Sequence, residues 1–359
     1  MMLSPSYLIL MLTNRCNLAC SYCYLGSHKK KVAYGSGMDM SKIFIDQALD
    51  LVDKDQTSLH VQLTGGEPFL VPHLVEYAAQ KTREKFPDAG IGIQTNATLM
   101  NDEAIDIIKR FNLKVGISLD GDPPVQEAQR GKAAVTFEGI HLMEQKNIAF
   151  NVTCVVTAAN ADKLHRLVLM LGNFPMARGI GLDFLVLKGY ADKNAILQAE
   201  SAQIKSGIKN MLAAFDMVNA NRQTPLVIRE LEKIKEIKKK NRSTPFCHAA
   251  IGQSLAVTPD GRLFPCSQTA YDHKFYLGTL DHPELPEHFL EFEAYGLNRT
   301  VRDMCTDCNL NKACPGDCPS RLYYNQNDSP GLVCMTYQTF YQALCQDSAV
   351  RSKTKMKIA

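Results

Sequence analysis

Ten of this chain's twelve cysteines fall in two tight groups, and that grouping limits what its 359 residues can become. Three lie within residues 16–23 and seven within residues 247–334; only Cys154 and Cys345 stand apart. Such clustering asks for either metals or disulfides, and the cellular compartment decides between them. The N-terminus, Met1-Met2-Leu3-Ser4-Pro5-Ser6, has no basic start. The apolar run over 7–12 is too short for a signal-peptide core or a membrane span. The sequence therefore reads as cytoplasmic and without a membrane segment, where thiolates serve metals or redox chemistry. A balance of 40 basic against 37 acidic residues argues against a nucleic-acid binder.

Short apolar runs alternate with amphipathic stretches from residue 7 to about 187. Strands are expected at 7–12, 59–63, 90–94, 114–119, 150–156 and 181–187, with helices at 42–53, 74–86, 102–111, 137–145 and 162–171. Regular βα alternation implies parallel strands joined by right-handed crossovers. The expected fold class is α/β, a partial (β/α)6 barrel over 1–189. A helical bridge over 190–246, with helices at 195–221 and 231–240, leads to a loop-rich, cysteine-rich region over 247–345 and a basic tail over 346–359. The unusual residues follow the first four expected strands: Cys16, Cys20 and Cys23; Gly65-Gly66-Glu67-Pro68; Thr95-Asn96; and Ser118 with Asp120-Gly121. All four positions belong to the face on which βα-barrel active sites are built.

Cys16-x3-Cys20-x2-Cys23 supplies three thiolates, enough for three irons of a [4Fe–4S] cube with the fourth iron open. The alternative reading is a zinc knuckle or reactive thiols, although structural zinc wants four ligands and His28 is the only imidazole nearby. With Tyr22 before its last cysteine, and Gly65-Gly66-Glu67-Pro68 after the next strand, the first group resembles the radical S-adenosylmethionine (SAM) superfamily. The resemblance implies a cluster that cleaves SAM to a 5′-deoxyadenosyl radical. It also implies that Gly65, Gly66 and Glu67 bind the ammonium end of SAM, and that Ser118 and Arg130 hold its carboxylate or ribose. Asn96 becomes a ribose or polar contact, and Tyr22 and Val186 adenine contacts. No catalytic residue beyond the SAM cluster is assigned.

The second group reads Cys247-x13-Gly261-x4-Cys266, then Cys305-x2-Cys308-x5-Cys314-x3-Cys318, then Cys334. It resembles the seven-cysteine SPASM extension, which implies two auxiliary [4Fe–4S] clusters and three clusters in all. Carried over, Cys247, Cys266 and Cys318 serve the inner cluster, and Cys305, Cys308, Cys314 and Cys334 the outer one. The alternative is a single zinc held by Cys305, Cys308, Cys314 and Cys318. No cysteine occurs in 248–265, so the inner cluster has an open iron, which could receive a substrate thiolate, or a ligand such as His248 or Asp260. Cys154 reads as a core thiol.

The resemblance implies an oxidoreductase that takes hydrogen from a peptide or protein, with a ribosomally made peptide as the leading substrate and crosslinking, oxidation or epimerisation as the outcome. The alternatives are a sulfatase-type maturase, a tetrapyrrole-type small-molecule oxidase and a non-enzymatic iron–sulfur carrier. Where anaerobic sulfatase maturases place an acidic base, Ser267-Gln268 follow Cys266, although Asp272 lies nearby. Expected partners are a reductant such as flavodoxin or ferredoxin and, since only fifteen residues precede Cys16, a separate leader-recognition protein. Segment 229–242 holds seven basic and three acidic residues, and 351–357 four basic residues, so the remainder is net acidic. These segments are solvated faces or docking surfaces for an acidic partner.

Overall fold

The computed structural model describes residues 5–28, 38–240, 245–283, 305, 307–310, 313–326 and 331–346, together with the backbone of 30–31 and 347–356. Part of the basic segment at 229–242 and the tail at 351–357 lie outside the described side chains. Six parallel strands follow one another in space as in sequence: β1 (Tyr7–Met11), β2 (His60–Thr64), β3 (Gly90–Thr95), β4 (Lys114–Ser118), β5 (Phe150–Val156) and β6 (Ala177–Phe184). Helices α1 (Lys42–Asp50), α2 (Pro72–Lys85), α3 (Asp102–Phe111), α4 (Pro123–Gln129), α5 (Ala133–Gln145) and α6 (Leu164–Leu171) occupy the connections. Along β5 the pattern is legible residue by residue: Val152, Cys154 and Val156 are buried, while Asn151, Thr153 and Val155 alternate onto the more open face. A strand with its second face uncovered must alternate in this way.

The sheet extends beyond those six strands. Two-residue β7 (Val227–Ile228) pairs parallel with β6, and β8 (Ser254–Val257), from the cysteine-rich region, pairs parallel with β1 on its other side. A turn through Thr258 and Gly261 returns the chain as β9 (Leu263–Phe264), antiparallel to β8. Among the described residues the remaining α-helices are α7 (Tyr190–Lys193), α8 (Ser201–Asn219), α9 (Arg229–Lys240), α10 (Pro319–Asn325) and α11 (Leu332–Met356). Among the described residues no helix is long and apolar enough to cross a membrane.

Three expectations are corrected. The sixth strand begins at Ala177, because Arg178 and Gly179 sit in the ladder despite breaking the apolar run; residues 185–187 leave the strand as a loop. The bridge helix begins at Ser201, where Glu200 and Gln203 form a reciprocal capping box. Helix α4 is not among the expected helices; it opens on Pro123-Pro124, which suit the first helical turn.

Helix α8 packs on α6 and on the turn before it. A Cβ at Gly207 would lie 1.8 Å from the Ala161 carbonyl oxygen. Gly207→Ala is expected to lower stability by about 1–3 kcal/mol through forced separation of the two elements. The reading is the urea midpoint of the variant against the parent protein, and an unshifted midpoint would contradict this packing.

Candidate functional site

The loop after β1 carries Cys16, Cys20 and Cys23 and is fastened to its neighbours on several sides. Asp39 accepts from Thr13 Oγ1 at 2.6 Å and takes a two-point contact from Arg15, at 2.9 and 2.6 Å. From the loop after β2, the Gly66 amide donates to the Thr13 carbonyl at 2.7 Å and the Glu67 amide to that of Arg15 at 2.9 Å. Side chains at such positions would collide: a Cβ on Gly66 would stand 2.0 Å from the Arg15 carbonyl oxygen, and one on Gly65 2.4 Å from that of Thr13. Asn17 meets Thr98 and Asn96 after β3, Ser21 donates to the Gln129 carbonyl of α4, and Tyr190 of α7 donates to the Cys23 carbonyl. Cys16 and Cys20 are buried with Leu18, Tyr22, Leu185 and Ala191, and Cys23 packs against that group.

All three thiols open onto a cleft of about 440 Å³ at the C-terminal ends of the strands. Tyr22, Gly65, Gly66, Glu67, Asn96, Ser118, Arg130 and Val186, gathered from six separate stretches of sequence, line that cleft together. Their local bonds are specific. Glu67 is 1% exposed, and its carboxylate accepts from the Thr95 hydroxyl at 2.7 Å, the Asn96 amide at 2.7 Å and the Phe69 amide at 3.2 Å. Burial outweighs those donors and raises its pKa from 4.5 to about 7. Arg130 is engaged within the chain: Nε and Nη2 each donate at 2.9 Å to buried Asp120, which also accepts from Tyr22 and from the Val155 amide. Ser118 Oγ accepts from Gln94 at 2.9 Å.

None of the twelve cysteines is in a disulfide. The seven late cysteines sort by mutual electrostatic influence. Burial, then the charges of Cys247 and Cys266, push Cys318 up to about 12; burial, then Cys247, pushes Cys266 up to about 11. Separately, burial, then Cys314, Cys305 and Cys308, raise Cys334 to about 11. Gln338 binds the second group, donating to Cys308 and Cys334 at 3.7 and 3.5 Å. Thiols that raise one another in this way become thiolates together only beside compensating positive charge. Cys318 is thus influenced by Cys247 and Cys266, and Cys334 by Cys314, Cys305 and Cys308. Among the described residues no three Cys, His, Asp or Glu side chains converge to hold one ion.

The side chains considered as a further ligand are occupied. His248 bonds Ser6 at 3.0 Å and stacks on Tyr7, Asp260 pairs with Arg262, and His28 stacks on Tyr271 with centroids 4.5 Å apart. Asp272 accepts from Tyr324 at 2.7 Å and is not a wall of the cleft, whereas Ser267 and Gln268 are. Cys154 lies at 0% exposure in the core, and Cys345 lies on α11 beside Tyr341. Sequence reasoning missed Tyr7, Gln62, Gln94, Thr153, Asp183 and Arg229, which also line the cleft. The strand residues among them carried a signal in their alternation: each is a polar position on the open face of its strand. Lys188 was missed as well; burial lowers it to about 8, and it ties the sixth loop to the Gln268 and Ala270 carbonyls, both at 2.7 Å.

Two predictions follow from this geometry. Asp120→Asn leaves Arg130 buried without its counter-charge and is expected to cost about 3–5 kcal/mol, read by urea unfolding. Glu67 keeps a proton in the folded chain between pH 4.5 and 7 that the unfolded chain has lost. Its contribution to stability is therefore full below pH 4.5 and falls by about 3 kcal/mol as pH rises through 7. The stability difference between parent and Glu67→Gln should follow that curve, and a pH-independent difference would contradict it.

Residues 10–171 match the Radical SAM superfamily. The uncharacterized protein MJ0907 of Methanocaldococcus jannaschii is 30% identical over 267 residues, covering 72% of this chain and 84% of that one. The serine-type anaerobic sulfatase-maturating enzyme of Klebsiella aerogenes is 26% identical over 348 residues, covering 91% and 82%. The solved structure of native anSMEcpe with bound AdoMet and Cp18Cys peptide shares the fold with a TM-score of 0.74 at 21% identity, covering 97% of this chain and 99% of that one. The chain belongs to the radical SAM superfamily, enzymes that join S-adenosylmethionine to an iron–sulfur cluster.

Proposed function

We propose that this enzyme matures a ribosomally made peptide, using SAM at the cluster of Cys16, Cys20 and Cys23 to generate a radical that removes hydrogen from a peptide residue. When bound, the cluster and SAM supply the electron and the 5′-deoxyadenosyl radical; the protein supplies position, dryness and electrostatics. The observation that carries the reading is the gathering of eight expected SAM contacts and three thiols around one cleft that also admits Ser267 and Gln268 from the cysteine-rich region. Gly65, Gly66 and Glu67 would face the ammonium of SAM, Ser118 and Arg130 its carboxylate or ribose, Asn96 a ribose hydroxyl, and Tyr22 and Val186 its adenine. Arg130 would act while held by Asp120, so its charge and orientation are fixed before SAM arrives.

Residues 247–345 would hold two auxiliary clusters, the inner on Cys247, Cys266 and Cys318 and the outer on Cys305, Cys308, Cys314 and Cys334. The grouping of those thiols supports that partition. A peptide substrate is supported by the sulfatase-maturating relative and by the Cp18Cys peptide in the structural neighbour. Sulfatase-type maturation is the second reading, favoured by the extent of that relative's match. The ribosomal-peptide reading is preferred because Ser267-Gln268 bring no carboxylate to the cleft after Cys266, and a serine does not take up a proton at neutral pH as a carboxylate does. A low-potential flavodoxin or ferredoxin and a separate leader-recognition protein would complete a cytoplasmic system.

Three [4Fe–4S] clusters predict about 12 irons per chain after anaerobic reconstitution, falling to about 8 in the Cys16→Ala/Cys20→Ala/Cys23→Ala variant. The parent should release 5′-deoxyadenosine from SAM under reductant, and the triple variant should release none. An unchanged iron count in the variant would remove those cysteines from cluster binding. Co-expression with candidate precursor peptides followed by mass spectrometry tests the substrate: loss of two hydrogens indicates a crosslink or oxidation. Modification of a sulfatase peptide alone would favour the second reading.

A further inference from the structure

A second cavity, an open groove of about 1040 Å³, lies against the uncovered face of β5, β6 and β7. It is larger than the SAM cleft, and the two share two lining residues, Thr153 and Arg229. Thr153 belongs to the row of open-face residues on β5, and Arg229 is the first residue of α9. The floor of the groove includes Gly179 and Gly181. A Cβ on Gly181 would stand 2.8 Å from the Arg229 guanidinium carbon and from its Nη1, so the missing side chain is what lets the guanidinium lie down against the sheet.

Arg229 is fixed on one side only. Its Nε donates to Glu230 at 2.7 Å, and its Nη2 to the Leu182 carbonyl at 2.9 Å and to Asp183 at 2.8 Å. Glu230 is buried and also accepts from the Leu182 amide, so the clamp is anchored in the sheet. Nη1 has no hydrogen-bond partner among the described residues, and the Arg229 side chain is 55% exposed. Five basic side chains line the groove against two carboxylates, Glu232 and Glu236, which are paired with Lys235 and Lys240.

We propose that Arg229 is a specificity residue. A peptide segment lying in the groove enters the SAM cleft past Thr153, and Arg229 Nη1 binds a carboxylate on that segment, an Asp or Glu side chain close to the residue that reacts. A guanidinium held by two carboxylates and offering a free amino group is preorganised for such a contact and loses little side-chain freedom on binding. The groove is of a size that encloses ligands of many atoms. This inference rests on the peptide reading above and adds the chemistry that the peptide must carry.

The test is fluorescence anisotropy on the reconstituted enzyme with SAM, using a labelled Gly-Glu-Gly-Glu-Gly-Glu peptide and its Gly-Gln counterpart as probes. The acidic probe is expected to bind about threefold tighter, as one charge contact at a half-exposed guanidinium provides. Arg229→Gln should abolish that preference and Arg229→Lys should weaken it, while Lys81→Gln, exposed on α2, should leave it intact. Equal binding of the two probes by the parent enzyme, which needs no variant to fold, overturns the proposal, as does an undiminished preference in Arg229→Gln. The peptide reading is scored separately, by modification of co-expressed peptides. An enzyme that modifies peptides without regard to acidic residues defeats this inference and leaves that reading standing; an enzyme that modifies none defeats both.

Discussion

The contact between the Gly65-Gly66 backbone and the cysteine loop is the constraint on which the rest of the site depends. Two amide-to-carbonyl bonds, from Gly66 to Thr13 and from Glu67 to Arg15, place the end of β2 directly against the chain that carries Cys16. The approach is too close for any Cβ, so the glycines act through what they lack. Once that seat is made, Glu67 turns inward to collect Thr95 and Asn96, Asn96 reaches Asn17, and the first three loops become one body. A cofactor-binding rim built this way is rigid before any cofactor binds, which is what preorganisation requires.

Much of this was legible in sequence because the fold repeats a simple rule. Period-two apolar runs gave five of the six central strands to within a residue or so, and the βα alternation gave their order. The sixth strand was displaced because Arg178 and Gly179 interrupt its apolar run, and β8 and β9 were hidden among cysteines and turn residues. Individual contact partners were not readable. Nothing in the sequence pairs Arg130 with Asp120, ten residues away across a helix, or brings Lys188 to the carbonyls beyond Cys266. Those contacts depend on where loops from different βα units converge, information that local pattern does not carry.

The two cysteine regions differ in how they obtain their shape. The first three thiols sit on a loop seated by ordinary hydrogen bonds and apolar packing, so the polypeptide alone defines their placement. Of the later seven, six lie in turns and loops and Cys334 on the long helix α11, with burial and mutual repulsion raising the pKa of most of them. Apolar side chains around them, among them Phe264, Phe275, Leu310, Tyr337 and Phe340, join the central cores, so this region is also held by packing. The sixth loop, through Lys188, ties the segment after Cys266 to the edge of the cleft.

Strand β8 has a consequence for how the molecule is made. Residues 254–257 pair with β1, which means that β1 finds its second neighbour only after some two hundred and forty more residues have been synthesised. Until then one side of β1 is a bare hydrogen-bonding edge, beside the loop that holds Cys16, Cys20 and Cys23. An exposed edge is a template for the wrong partner. Completion of the barrel sheet is thus a late step set by sequence separation, and the cysteine-rich region that follows the bridge also closes the edge at β1.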